Sequence, residues 1–289
     1  MLAKDNIMHP LDRIVFQTAT AQVGAFMCPS RDPRFRDSGP IERHLVVFPR
    51  TGVWIQHTGS RAFVADPHVI TIYNQGQEYI RALVSAEGDR CDWFGVSPET
   101  AREIAAAYEP RAGDERHPFR HQCGPCPPEL YLRQRALFHR LERGQVDELE
   151  AEESVIVIVA DAIGWAHGAG NRWPASADPV GGHLDLVERT RADIVAHARE
   201  RTSLADMARR LSVSPFHLCR VFRRVTGMSV HGYRIELRQR LALEPLAGER
   251  VSVSRVAADL GFASHSHLTA TLRKRLGLTP TRLRRLLQG

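Results

Sequence analysis

Along the first hundred positions, apolar residues come in short runs cut by turn residues: HLVVFP, TGVWIQHTG, RAFVADPHVITIYNQGQEYIRALV and RCDWFGV. Runs this short, rich in Val, Ile, Phe, Trp and Tyr, predict β-strands packed as a small barrel or sandwich. After residue 97 the period lengthens. Ser97-Pro98-Glu99 caps a predicted short helix reaching Tyr108, and PELYLRQRALFHRLERG sets Leu130, Leu137, Phe138 and Leu141 on one helical face. ELEAEESVIVIVADAIGWAHG is ambiguous, since VIVIVA alone fits a strand while the flanking helix formers favour a largely buried helix. GAGNRWPASADPVGG, 168–182, is rich in Gly and Pro and reads as a linker.

Beyond that linker a longer pattern occurs twice. LADMARRLSVSPFHLCRVFRRVTGMSVHGYR (204–234) and VSRVAADLGFASHSHLTATLRKRLGLTPTRLR (253–284) superpose, pairing Met207 with Val256, Ala208 with Ala257, Leu211 with Leu260, Leu218 with Leu268, Phe222 with Leu272 and Gly227 with Gly277. Each copy predicts a short helix, a tight turn and a second helix. Ser203 with Asp206 resembles a capping box, and Ser214-Pro215 and Thr279-Pro280 set a hydroxyl N-cap before proline. Gly227 and Gly277 are natural left-handed stops. In SVHGYRIELRQRLALEPL, Tyr233, Leu237 and Leu241 share one face of a helix that would join the two units.

The second helix of the first copy bears two stripes. Leu218, Val221, Phe222 and Val225 make an ordinary core face, whereas Phe216, Cys219, Arg220 and Arg223 lie about half a turn away. Charge gives the second stripe a meaning. Residues 184–289 hold 20 Arg and Lys against 9 Asp and Glu, a net of +11, while the remainder is net −5 within an overall +6. A basic third on a mildly acidic body points to a polyanion partner for that third, with a solvated Arg-rich surface as the plain alternative.

These residues resemble the AraC/XylS family of bacterial transcription regulators. The resemblance covers 184–289 and is carried by SLADMARRLSVSPFHLCRVFRRVTG, VAADLGF and GLTPTRLR. It implies double-stranded operator DNA and RNA polymerase as partners, with two helix-turn-helix units entering major-groove segments roughly 34 Å apart. Arg220 would pair with guanine, Phe216 and Cys219 would touch a thymine methyl, and Ser214 and His217 stand at the helix start. Arg223 and Arg224 would bind phosphate. In the second copy the corresponding residues are His265, Ser266, His267, Thr269, Arg273 and Lys274. Ala270 stands where the first copy has Arg220, which makes the second copy the weaker reader. RTGVWIQHTGSRAFVADPHVITIYNQGQEYIR further resembles the cupin-type sensor barrel of such regulators.

The expected fold is therefore α+β: a cupin-like β barrel (1–127), helices serving as a homodimer contact or merely covering their own barrel (128–167), a linker (168–183), and an all-α double helix-turn-helix domain (184–289). The expected function is effector-responsive transcription regulation rather than catalysis, with a small molecule or a metal as effector. No apolar run reaches the roughly 18 residues of a membrane span, and MLAKDNIMHPLDRIVF lacks a signal peptide's apolar core. A cytoplasmic protein is expected.

RHPFRHQCGPCPP raises a separate possibility. Cys123 and Cys126 form a CxxC, His121 lies just before it, and Cys91 closes a predicted strand. Together they suggest a tetrahedral site for Zn or another thiophilic ion, structural or sensory. A redox pair or inert thiols beside an organic effector are the alternatives. His44, His57 and His68 lack the spacing of a metal-dependent cupin enzyme, and the cysteine order departs from the four-cysteine pattern of Ada-like methyl-accepting regulators. Both enzymatic readings are therefore disfavoured.

Overall fold

A computed structural model describes residues 11–36, 39–108, 116–169, 182–248 and 251–288. In chain order its elements are β1 (Asp12–Gln17), β2 (Ala21–Cys28), β3 (His44–Pro49), β4 (Val53–His57), β5 (Phe63–Ala65), β6 (Val69–Tyr73), β7 (Tyr79–Leu83), β8 (Asp89–Val96), α1 (Pro98–Tyr108), β9 (Cys123–Pro125), α2 (Pro128–Glu142) and α3 (Glu148–Ala169). The C-terminal third holds α4 (His183–Ala196), α5 (Leu204–Arg210), α6 (Pro215–Thr226), α7 (Val230–Ala247), α8 (Val253–Asp259), α9 (His265–Leu276) and α10 (Pro280–Gln288). The linker expectation falls largely on 170–181, outside the described residues. Among the described residues, no helix is long and apolar enough to cross a membrane.

The strands form two antiparallel sheets, one ordered β1-β2-β8-β3-β6-β9 and one ordered β5-β4-β7. Period-2 alternation assigns each face of the larger sheet. Val46, Phe48, Ile70, Ile72, Phe94 and Val96 pack against α1, α2 and α3 in one core. Their neighbours Leu45, Val47, Thr71, Tyr73, Cys91 and Trp93 instead face a cavity shared with the smaller sheet. The run VIVIVA is helical, and Val155, Ile158, Val159, Ala162 and Ile163 of α3 are buried on that sheet.

Among the described residues the strands do not close into one barrel, so the cupin-like barrel is not confirmed, and at two of the four sheet edges the neighbouring segment is visible. On the larger sheet, Cys123–Pro125 adds β9 beside β6, in the register Val69↔Pro125, Ile70↔Gly124 and Thr71↔Cys123. On the smaller sheet, the outer edge of β5 is met by side chains of α4: Val64 N donates to Glu188 Oε2 at 2.6 Å, and Arg191 Nη2 donates to Val64 O at 2.6 Å. The outward N–H and C=O of Val64, which could pair with another strand, are thus already satisfied.

The first helix-turn-helix unit has its own core, in which Met207, Leu211, Leu218, Val221 and Phe222 meet Leu186, Ile194, Tyr233 and Leu237. The second unit does not stand apart. Val256, Leu260, Leu268, Leu272, Leu283 and Leu287 belong to the same apolar cluster as Leu130, Leu137 and Phe138 of α2 and the sheet beneath. Within this chain α2 therefore covers both the sheet and the second unit.

Candidate nucleic-acid interface

Local sequence sets the two C-terminal units. Ser214 Oγ accepts from His217 N at 3.1 Å and caps α6, and Ser264 Oγ does the same for His267 N at the start of α9. Ser203 Oγ accepts from Asp206 N at 3.1 Å and donates to Asp206 Oδ2 at 2.6 Å, the expected capping box. Both helices stop at glycines in the left-handed region, Gly227 at φ 72° and Gly277 at φ 68°.

With Leu218, Val221 and Phe222 buried, the opposite stripe of α6 is turned outward. Phe216 is 76% exposed, and Cys219, Arg220, Arg223 and Arg224 are exposed beside it. The Arg220 guanidinium lies over the Phe216 ring, 6.0 Å from its centroid. Phe216 is thus outside the core and orients the arginine expected to read a base. On α9, His265, Ser266, Ala270, Arg273 and Lys274 are exposed and Thr269 is half-buried. His267 turns edge-on to Phe262 at 5.5 Å, so its ring serves packing. Arg275 leans back to Glu236 of α7, 3.9 Å away. Among the described residues, none of Arg220, Arg223, Arg224, Arg273 and Lys274 makes an ion pair, unlike Arg209, Arg210 and Arg255, which hold Asp206, Asp193 and Asp259. These unpaired cations are what a phosphate backbone neutralises.

The predicted thiol site does not assemble. Cys123 and Cys126 lie on opposite sides of the sheet, in the separate clusters around Val53 and around Leu130. Cys91 faces the internal cavity, and His121 packs edge-on to His167 at 4.6 Å. Burial pushes the thiols of both Cys123 and Cys126 up to about 12, and raises that of Cys91 above an ordinary thiol. Among the described residues, no three His, Cys, Asp or Glu side chains are disposed to hold a metal ion. The spacing misleads because Cys123 opens β9 and Cys126 follows just past its end, in an extended segment whose alternation parts the two sulfurs.

Two features escaped the sequence reading. One is a buried polar junction between the halves of the chain, built on the turn after β5. Tyr233 OH donates to Asp66 Oδ2 at 2.5 Å, Arg191 Nε donates to Tyr233 OH at 2.8 Å, and Arg191 pairs with Glu188 at 2.9 Å. Arg240 donates to Pro67 O and Cys126 O, and the His68 ring stacks on Tyr233 at 3.8 Å. Although burial opposes ionisation, Arg191 and the hydrogen bonds from His68 and Tyr233 hold the Asp66 carboxyl well below its ordinary range. The other is the cavity between the sheets, about 330 Å³, whose walls include Val53, Ile55 and Ala65 from the smaller sheet and Arg81 in its interior. No signal in the sequence pointed to it, since alternation in YIRAL would turn Ile80 inward and Arg81 outward, the reverse of their burial.

Residues 207–286 match a family model described as a helix-turn-helix domain. "Uncharacterized HTH-type transcriptional regulator YidL" of Escherichia coli (strain K12) is 33% identical over 95 residues, covering 33% of this chain and 32% of that protein. The Msm operon regulatory protein of Streptococcus mutans is 23% identical over 97 residues, covering 33% and 35%. The chain thus spans about a third of the length of the curated relatives it matches. Among solved structures, a transcriptional regulator with an AraC-type DNA-binding domain from Chromobacterium violaceum shares 26% identity over 37% of this chain and 96% of its own, with a TM-score of 0.35. ToxT from Vibrio cholerae O395 shares 12% identity over 94% of this chain and 100% of its own, with a TM-score of 0.36. By its matched motif and its paired capped helices, residues 207–286 of this chain form a helix-turn-helix domain similar to those of the transcription regulators above.

Proposed function

We propose that the protein is a sequence-specific, DNA-binding transcription regulator whose affinity for an operator responds to a small molecule held in the N-terminal half. The observation that carries this reading is the outward face of α6, where Arg220 lies over Phe216 and stands beside the unpaired Arg223 and Arg224. Arg220 reads a base pair in the major groove through a bidentate donor pair, while Arg223, Arg224, Arg273 and Lys274 grip phosphates and fix the register. Operator DNA and RNA polymerase are the partners, and the protein acts as a homodimer.

Coupling to the cavity runs through β5. Ala65 is part of the cavity wall, and its neighbour Val64 exchanges hydrogen bonds with Glu188 and Arg191 of α4. A ligand that binds the two arrangements of this strand unequally shifts the population competent for DNA.

The test is selection of binding sites by the full chain from a random duplex library, followed by fluorescence anisotropy across salt concentrations. One enriched motif, bound with an affinity that falls steeply with salt, is the expected result. Equal binding to all duplexes, or none, would overturn the reading.

A further inference from the structure

Negative charge and aromatic surface meet on the cavity face of the larger sheet. The registers Asp12↔Phe26↔Cys91 and Ile14↔Gly24↔Trp93 set these residues in two rows across β1, β2 and β8, and residues directly opposite in a sheet share a face. Asp12, Ile14, Phe26, Cys91 and Trp93 all line the cavity between the sheets. The Trp93 indole lies against Gly24, where a Cβ would collide with its Cζ2, and its Nε1–H donates to Asp12 Oδ1 at 3.0 Å. Tyr73 and Tyr79 add two further rings to the lining.

Three properties of this cavity define its occupant. Among the described residues its charged lining is three carboxylates, Asp12, Glu42 and Asp89, against two guanidinium groups, Arg43 and Arg81, a net of −1. Arg81 Nη1 donates to Asp89 Oδ2 at 2.9 Å, and burial outweighs that pairing and raises the Asp89 carboxyl above its usual range, so a further anion would be opposed here. Asp12 is the half-buried carboxylate beside the rings, and the Trp93 N–H takes only one of the roughly four acceptor positions a carboxylate offers. A molecule entering the cavity strips water from Asp12, a loss that an apolar body leaves uncompensated and that an ammonium offsets with both charge and donors. The rings act in the same sense, because the face of an indole or phenol ring attracts a cation. The volume of about 330 Å³, walled on the other side by Val53, Ile55 and Ala65 of the smaller sheet, suits an apolar body of about a dozen heavy atoms.

We propose that the cavity binds a hydrophobic monocation, an ammonium group on an apolar body of about a dozen heavy atoms, with its charge held between the Asp12 carboxylate and the Trp93 ring. This rests on the reading that the N-terminal half receives an effector, and it names that effector's chemical class.

The experiment is calorimetric titration of the full chain with three probes that share one body: 4-butylbenzylammonium, 4-butylbenzyl alcohol and 4-butylbenzoate. The ammonium is expected to bind at least about tenfold tighter than the alcohol, and the benzoate more weakly than both. Asp12→Asn keeps an acceptor for the Trp93 N–H but removes the charge, so it should bring the ammonium down to the level of the alcohol and leave the alcohol unchanged. Val47→Trp, which fills the cavity, should abolish binding of all three. If either variant does not fold, the ranking of probes on the native chain decides. An alcohol or benzoate that binds as tightly as the ammonium overturns the proposal, as do an ammonium affinity untouched by Asp12→Asn and the absence of binding by all three. If the ammonium binds as described but leaves affinity for the selected duplex unchanged, the ligand class stands and the effector reading fails.

Discussion

Arg220 differs from the other cations of α6 in being oriented: the Phe216 ring lies beneath its guanidinium, whereas Arg223 and Arg224 are exposed and, among the described residues, make no ion pair. Arg220→Ala should therefore weaken binding to the selected site by about 1–3 kcal/mol and relax one base position, as read by competition among single-base variants. Arg224→Ala should weaken all sequences alike and lower the slope of log affinity against log salt by about 1. If the two variants behave identically, the division of labour along this helix is wrong. A second residue-scale effect concerns protons. His57 is buried, Gln77 Nε2 lies 2.7 Å from its Nδ1, and burial lowers its pKa from 6.5 to about 4. The unfolded chain takes up a proton between those values that the folded chain refuses, so stability falls as pH drops through that window and levels off below it. The contribution is on the order of 3 kcal/mol. His44, His68 and His139 are shifted the same way by burial. Urea titrations at pH 7 and pH 5 should show this loss, and show less of it in His57→Phe.

At the scale of elements, β9 and α6 owe their positions to different causes. Gly124 in β9 lies so close to α3 that an added Cβ would sit 2.8 Å from the Ala166 Cα. Gly124→Val should push strand and helix apart and destabilise the protein by about 1–3 kcal/mol, measured by thermal unfolding. An unchanged midpoint would mean that the helix shifts freely. The start of α6, by contrast, is set locally, by the Ser214 cap and Pro215. Ser214→Ala removes the acceptor for His217 N and should cost about 1 kcal/mol of stability. The capped helix was readable in the sequence, because a cap, a proline and a terminal glycine act within one turn of the chain. The strand was not, because Cys123–Pro125 pairs with residues more than fifty positions away.

For the molecule as a whole, the polar junction on Asp66 decides how the halves are joined. Arg191→Met would leave Asp66 and Glu188 buried without their cation, and should cost about 3–5 kcal/mol in denaturant unfolding. A loss much below that range would mean water reaches the junction readily. The apolar continuity from the larger sheet through α2 to α9 and α10 works in the same direction, tying the second helix-turn-helix unit to the N-terminal half.

What the sequence by itself determined is everything written in short-range terms: the capped and glycine-stopped helices of the repeat, the outward stripe holding Phe216, Cys219, Arg220 and Arg223, the concentration of positive charge in the last third, and most strands between 44 and 96. Helical period, capping and turn chemistry act over a few residues, so they survive reading one position at a time. Tertiary structure alone decided that the sheets stay open, that Cys91, His121, Cys123 and Cys126 are scattered, and that Arg81, Asp66, Arg191 and Tyr233 are buried in paired networks. Each of these depends on which distant segments meet: edge pairing and desolvation are properties of the contact, and the residues on its two sides lie up to 173 positions apart in the chain.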